Sequence, residues 1–295
     1  MPQMLPELLA PRKERPDDRP PSLLAIGNID FDLAPKAKAP AEEVPPAWKR
    51  RRAGGPMQWG PLPGTLGEVL ALEDAFKKAV PNGKLTVLRA AKAIAGAFRK
   101  EATSHEYLHL ATHGFFAPRE IKSVGKSDGK QAGQAGDFRP LPVGFHPGLL
   151  SGLVLAGANK PRADDDGILT ALEVAELDLA KVELAVLSAC ETGLGETAGG
   201  EGVLGLQRAF EIAGARTTVT SLWKLDDTAT RQLMERFYDN YWKKGRGTLE
   251  SLREAQIWLL EEGPTRGIVR MKEAPGQKRS PPYFWAAFVL SGDWR

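Results

Sequence analysis

Two short stretches end an apolar run on a residue that can do chemistry. YLHLATHG (107–114) carries His113 and follows it at once with Gly114. ELAVLSACETGLG (183–195) carries Cys190, then Thr192, Gly193 and Gly195. An imidazole beside a thiol is what a cysteine nucleophile needs, because the thiolate attacks and the thiol does not. A free thiol has a pKa of about 8.5 and an imidazole about 6.5, so a neighbouring histidine can take the proton and later return it to a leaving amine. Gly114 lets a substrate carbonyl approach the backbone, and its N–H with that of Cys190 forms a candidate oxyanion hole. Alone, a cysteine ending a buried strand reads as inert core. A histidine in the same kind of position on a second strand makes the two a candidate dyad.

The other histidines carry less. Alternation puts His109 on the same side of its strand as His113, and its apolar flanks make it a packed histidine. His105 and His146 fall in loops with no partner signal. Glu191 and Thr192 follow the cysteine, either to orient the dyad or as turn residues. The glycines at 193–202 lack the spacing of a dinucleotide fingerprint, and no Gly-Lys-Ser/Thr phosphate loop occurs. Metal-ligand spacing is absent too, so no cofactor and no metal are expected.

A dyad built this way needs two neighbouring parallel strands, and the chain offers alternating strands and helices. SLLAIGNIDFD (22–32), KLTVLRA (84–90), YLHLATHG (107–114), GLLSGLVLAG (148–157), KVELAVLSAC (181–190), TTVTSLW (217–223) and YFWAAFVLSG (283–292) read as strands. Helical spacing appears at 65–79, where Val69, Leu72, Phe76 and Val80 recur three to four apart, and at 90–101, 200–215, 228–244 and 248–263. Leu233, Phe237, Tyr241 and Trp242 would line the buried face of the helix at 228–244. Thr170-x-x-Glu173 is a capping-box signature that starts a short helix. Strand then helix, repeated, predicts an α/β fold: a mostly parallel sheet with helices on both faces, its reactive residues at the carboxyl ends of the strands.

The chain of 295 residues can bury a real core. A net charge of +3 is too small for that length to argue for nucleic acid, and Lys49-Arg50-Arg51-Arg52, set among prolines, reads as a solvated loop. The single cysteine rules out an internal disulfide and fits a reducing cytosol. No apolar run approaches the ~20 residues of a membrane helix. The expectation is a soluble, cytoplasmic protein. Residues 1–21 read as a disordered Pro-rich leader, and 33–60 and 118–145 as loop insertions.

At its dyad residues the sequence resembles the CHAT family of caspase-related peptidases, which are also related to separase. YLHLATHGFF resembles the family's histidine motif. SGLVLAGAN (151–159), DDGILTALEVAELDL (165–179) and LAVLSACETGLGE resemble its central block. GGEGVLGLQRAFEIAGARTTVTSLWKLDD (199–227) and YFWAAFVLSGDW (283–294) resemble its last blocks. The likeness covers roughly residues 22–295, and the family's front block of strands is missing before SLLAIGNIDFD. It implies a caspase-like three-layer sandwich and a cysteine endopeptidase with the dyad His113 and Cys190; an inactive regulatory or scaffolding module is the alternative. The stretch from His113 to Cys190 is longer than the ~50 residues of the caspase signature, partly through the insertion at 118–145. The segment LWKLDDTAT (222–230), with Trp223, is similar to separase's tryptophan-then-aspartate stretch. This makes Asp227, or alternatively Asp226, the candidate acid for a basic substrate residue. Both aspartates also precede a helix, so one can serve as its cap. The resemblance further implies a protein substrate and a tetratricopeptide-repeat or other regulatory partner.

Overall fold

The computed structural model describes residues 20–34, 58–116, 151–162, 165–188, 190–191, 201–223, 226–264, 266–267 and 279–295. The expected leader, most of both expected insertions, the cluster Lys49–Arg52, His146 and Thr192 lie outside the described residues.

The larger sheet has six strands: β1 (Ser22–Ile29), β2 (Lys84–Ala90), β3 (Tyr107–Leu110), β7 (Leu184–Leu187), β9 (Thr217–Ser221) and β10 (Phe288–Gly292). Their spatial order is β10-β9-β7-β3-β1-β2, parallel throughout except for the antiparallel β10. The inner strands β1 and β7 are apolar on both faces, as a sheet covered on both sides requires. In β1, Leu24 and Ile26 belong to one core and Leu23 and Ala25 to the other. The first core is closed by α2 (Ala95–Ala102), α3 (Ala171–Ala175) and α4 (Glu201–Ile212), through Phe98, Val174 and Phe210. The second is closed by α1 (Gly64–Ala79), α5 (Asp227–Tyr238) and α6 (Thr248–Glu262), through Phe76, Phe237 and Leu259. Each such side chain, fully withdrawn from water, stabilises the fold by about 1.5–3 kcal/mol.

A smaller sheet holds the residues of interest. Its order is β6-β5-β4-β8, from Ile168–Thr170, Ser151–Val154, His113–Phe116 and Cys190–Glu191. Thr170 caps α3 as its spacing predicts: its hydroxyl accepts from the Glu173 N–H while the Glu173 carboxylate accepts from the Thr170 N–H.

Several expectations need correction. YLHLATHG is not one strand. β3 ends at Leu110, the chain bends, and His113 opens β4 in the other sheet. His109 and His113 therefore do not share a strand face. KVELAVLSAC breaks in the same way, between Leu187 and Cys190. The helix expected over 90–101 starts only at Ala95, because Ala90 has positive φ and a turn intervenes. YFWAAFVLSG begins as a one-turn helix, α7 (Pro282–Trp285), before β10. Pro282 at the first helical position, with its fixed φ, accounts for that start. The helix expected to run to 244 changes at Asp239 to a π-turn, Asp239–Lys243; Leu233, Phe237 and Tyr241 are buried as expected and Trp242 partly so.

Candidate active site

His113 and Cys190 meet by register. β4 and β8 run parallel, and His113 is the direct pairing partner of Cys190, with Gly114 opposite Glu191. The two segments arrive there for one reason. β3 and β7 are neighbours in the large sheet, with Leu110 opposite Leu187. Each chain leaves the carboxyl end of its strand and steps the same way into the small sheet. On the far side of β4, His113 pairs with Val154 of β5. The Thr112 hydroxyl donates to the Val154 carbonyl at this step.

His113 is buried, and its ring is held from three directions. Nε2 lies 2.7 Å from the Gly60 carbonyl. A carbonyl only accepts, so Nε2 carries the proton and Nδ1 is the nitrogen that can take one. The Phe31 ring lies 5.0 Å from the imidazole and the Trp59 ring 5.5 Å, both tilted. Trp59 also packs against Phe115, two residues along β4.

The segment 58–63 joins this histidine to the expected acidic residues. It carries Trp59 and Gly60 against His113 and then enters α1 at Gly64. Gly64 lies directly against the Asp227 side chain; a Cβ on Gly64 would collide with it. Of the two aspartates, Asp226 is the helix cap. Its carboxylate accepts from the Thr228 and Ala229 N–H groups, both at 3.0 Å. Asp227 is left as the first residue of α5, solvent-exposed and not engaged as the cap. The Trp223 indole N–H donates to the Tyr283 carbonyl at 3.0 Å, which ties the end of β9 to α7.

The other two described histidines, His109 and His105, are held by structural hydrogen bonds. Both ring nitrogens of His109 are engaged: Nδ1 lies 2.9 Å from the Tyr238 hydroxyl and Nε2 3.1 Å from Glu68 Oε1. Burial, and then the charge of Glu68, push the Tyr238 phenol well above its ordinary pKa. It stays a phenol that can donate. His105 lies in the loop before β3, as expected, but it has partners there. Its ring is buried, with Nδ1 at the Glu101 carbonyl and Nε2 at the Thr86 hydroxyl, and burial lowers its pKa. No group of His, Cys, Asp and Glu among the described residues could hold a metal ion.

The CHAT domain family matches residues 2–293. This chain belongs to the CHAT domain family. Its large parallel sheet between two helical layers is the caspase-like α/β sandwich. Two curated relatives of this CHAT domain are tetratricopeptide repeat protein 28 of Mus musculus and of Homo sapiens. The mouse protein is 26% identical over 244 residues, 79% of this chain and 9% of that protein. The human protein is 26% identical over 240 residues, 79% of this chain and 8% of that protein. The CHAT domain thus spans less than a tenth of the length of these relatives. No described helix is long and apolar enough to cross a membrane.

Four residues of the site escaped the sequence reading. Phe31, Trp59 and Gly60 lie in or beside stretches read as turn and loop, where no spacing marks them. Asn159 ends the SGLVLAGAN block and gave no chemical signal of its own.

Proposed function

We propose that this CHAT domain is a cysteine endopeptidase. The observation that carries the reading is the pairing of His113 with Cys190 in a parallel ladder, whose strands lie about 4.8 Å apart, with His113 held as its Nε2–H form. In that form Nδ1 accepts the Cys190 proton. The thiolate attacks the scissile carbonyl, the carbon–nitrogen bond breaks, and the imidazolium protonates the departing amine. Water then hydrolyses the thioester and restores the thiol. The N–H groups of Gly114 and Cys190 are the oxyanion donors of this scheme.

The substrate is a protein, cut after a basic residue. With Asp226 spent as the cap, Asp227 remains to pair with an Arg or Lys side chain. The contact of Asp227 with Gly64, four residues from the carbonyl that holds His113, favours its belonging to the same site. Trp223 is the wall of that pocket. The named relatives favour a tetratricopeptide-repeat protein as regulatory partner.

The deciding experiment incubates the protein with fluorogenic peptides bearing Arg or Lys before the scissile bond, beside a Cys190→Ala control. Cleavage by the wild type alone is expected. Equal signals from both proteins would leave a non-catalytic regulatory module, in which Cys190→Ala also leaves partner binding unchanged.

A further inference from the structure

The residue that ties most of the histidine's surroundings together does not touch it. Asn159 follows the turn after β5. Its side-chain amide brackets Trp59: the Trp59 N–H donates to Oδ1 at 2.8 Å, and Nδ2 donates to the Trp59 carbonyl at 3.0 Å. The second Nδ2 proton goes to Asp32 Oδ1 at 3.1 Å. The Asn159 main-chain N–H donates to the Phe31 carbonyl at 2.9 Å. One residue therefore anchors the backbones of both aromatic residues that flank His113, and one of the two, Trp59, is the residue just before Gly60.

The orientation of this amide is set by chemistry. A carbonyl and a carboxylate accept only, so Nδ2 must face both, and Oδ1 is left for the Trp59 N–H. No other side chain does this as well. An aspartate at 159 has no N–H to give and would set a second carboxylate against Asp32. A glutamine is one methylene too long for the same bracket.

We propose that Asn159 is a positioning residue for His113. By fixing Trp59 it fixes the Gly60 carbonyl, and that carbonyl keeps the imidazole proton on Nε2 and Nδ1 ready to accept. The catalytic consequence rests on the peptidase reading. The tautomer does not, and this separates the two in experiment.

The test is nitrogen-15 NMR of histidine-labelled full-length protein, with the His113 signals assigned by difference from His113→Gln. Wild type is expected to show the Nε2–H tautomer near neutral pH, and Asn159→Ala a mixture of the two. With basic-site peptides, kcat should fall about 10- to 100-fold, the scale set by a small misplacement of a reacting group, with KM little changed. Asp32→Ala, which leaves the bracket on Trp59 intact, should give a smaller loss. If Asn159→Ala fails to fold, the near-isosteric Asn159→Asp carries the same comparison. An unchanged Nε2–H tautomer in the folded variant overturns the proposal whatever the enzyme does. A lost tautomer in a protein without turnover upholds it and sinks only the peptidase reading.

Discussion

Four residues and a sheet boundary separate His109 from His113, and the two imidazoles have opposite surroundings. His109 sits mid-strand between Ala25 and Val186, and helices reach down to both of its nitrogens with a phenol and a carboxylate. His113 sits past the carboxyl end of the large sheet, where a loop carbonyl holds Nε2 and a cysteine is its ladder partner. The first arrangement uses an imidazole to join α1, α5 and β3. The second holds Nε2 at a main-chain carbonyl, which keeps the proton on that nitrogen. Residue type alone says little. What grips each nitrogen says more.

The sharpest way to break this contrast is to remove the candidate nucleophile. Cys190→Ala should abolish both cleavage and labelling by an active-site electrophile, a loss of at least about a thousandfold, with little change in melting temperature. Residual activity near wild type would end the contrast. Next is His109→Ala. It strands the Glu68 carboxylate and the Tyr238 hydroxyl in the core, and should cost about 3–5 kcal/mol in denaturant unfolding, while activity per folded molecule stays within a few-fold. An equal loss in both assays would mean that His109 serves the chemistry. Tyr238→Phe is milder, about 1–3 kcal/mol.

The two aspartates repeat the contrast on a smaller scale. Asp227→Asn should lower kcat/KM for basic peptides about tenfold, the loss of roughly 1.4 kcal/mol from a charged hydrogen bond, and spare neutral ones. Asp226→Ala should cost about 1 kcal/mol of stability through the lost cap and leave peptide preference alone. The smallest effect is expected at the opposite end of the sheet. Burial pushes the Asp293 carboxyl up, but hydrogen bonds from Arg295 and Arg216 outweigh it and bring its pKa down to about 2. A lowered carboxylate contributes stability above its unfolded value, ~3.9, and loses it as pH falls toward 2. Asp293→Asn should flatten the melting-temperature profile across that window, with a modest fall in melting temperature near neutrality, where the carboxylate contributes in full, and no difference from wild type near pH 2.

Much of this was legible from the sequence. Apolar runs such as LLAI and LAVL marked strands because a sheet covered on both faces needs apolar residues on both sides. The Thr170–Glu173 box was visible as a local pattern with one structural meaning, and His113 and Cys190 as two run-ending residues that together made a candidate dyad. What escaped was long-range or depended on a break. No local signal separates YLHL from HGFF, since the step between sheets is set by strands elsewhere in the chain. Trp59 and Gly60 follow a Pro-rich, charged stretch and act through a ring face and a main-chain carbonyl, and the latter has no residue type to betray it. His105 looked idle because its partners, Thr86 and the Glu101 carbonyl, come from the fold rather than from a motif.

Gly64 has a consequence of its own. With hydrogen in place of a side chain, the first turn of α1 can rest on the first residue of α5. A single added carbon there would act as a wedge between the two helices. It would widen the gap between the Asp227 carboxylate and the His113 imidazole without altering either. On the peptidase reading proposed above, the reach along a bound polypeptide is thus adjustable at a position that carries no functional group.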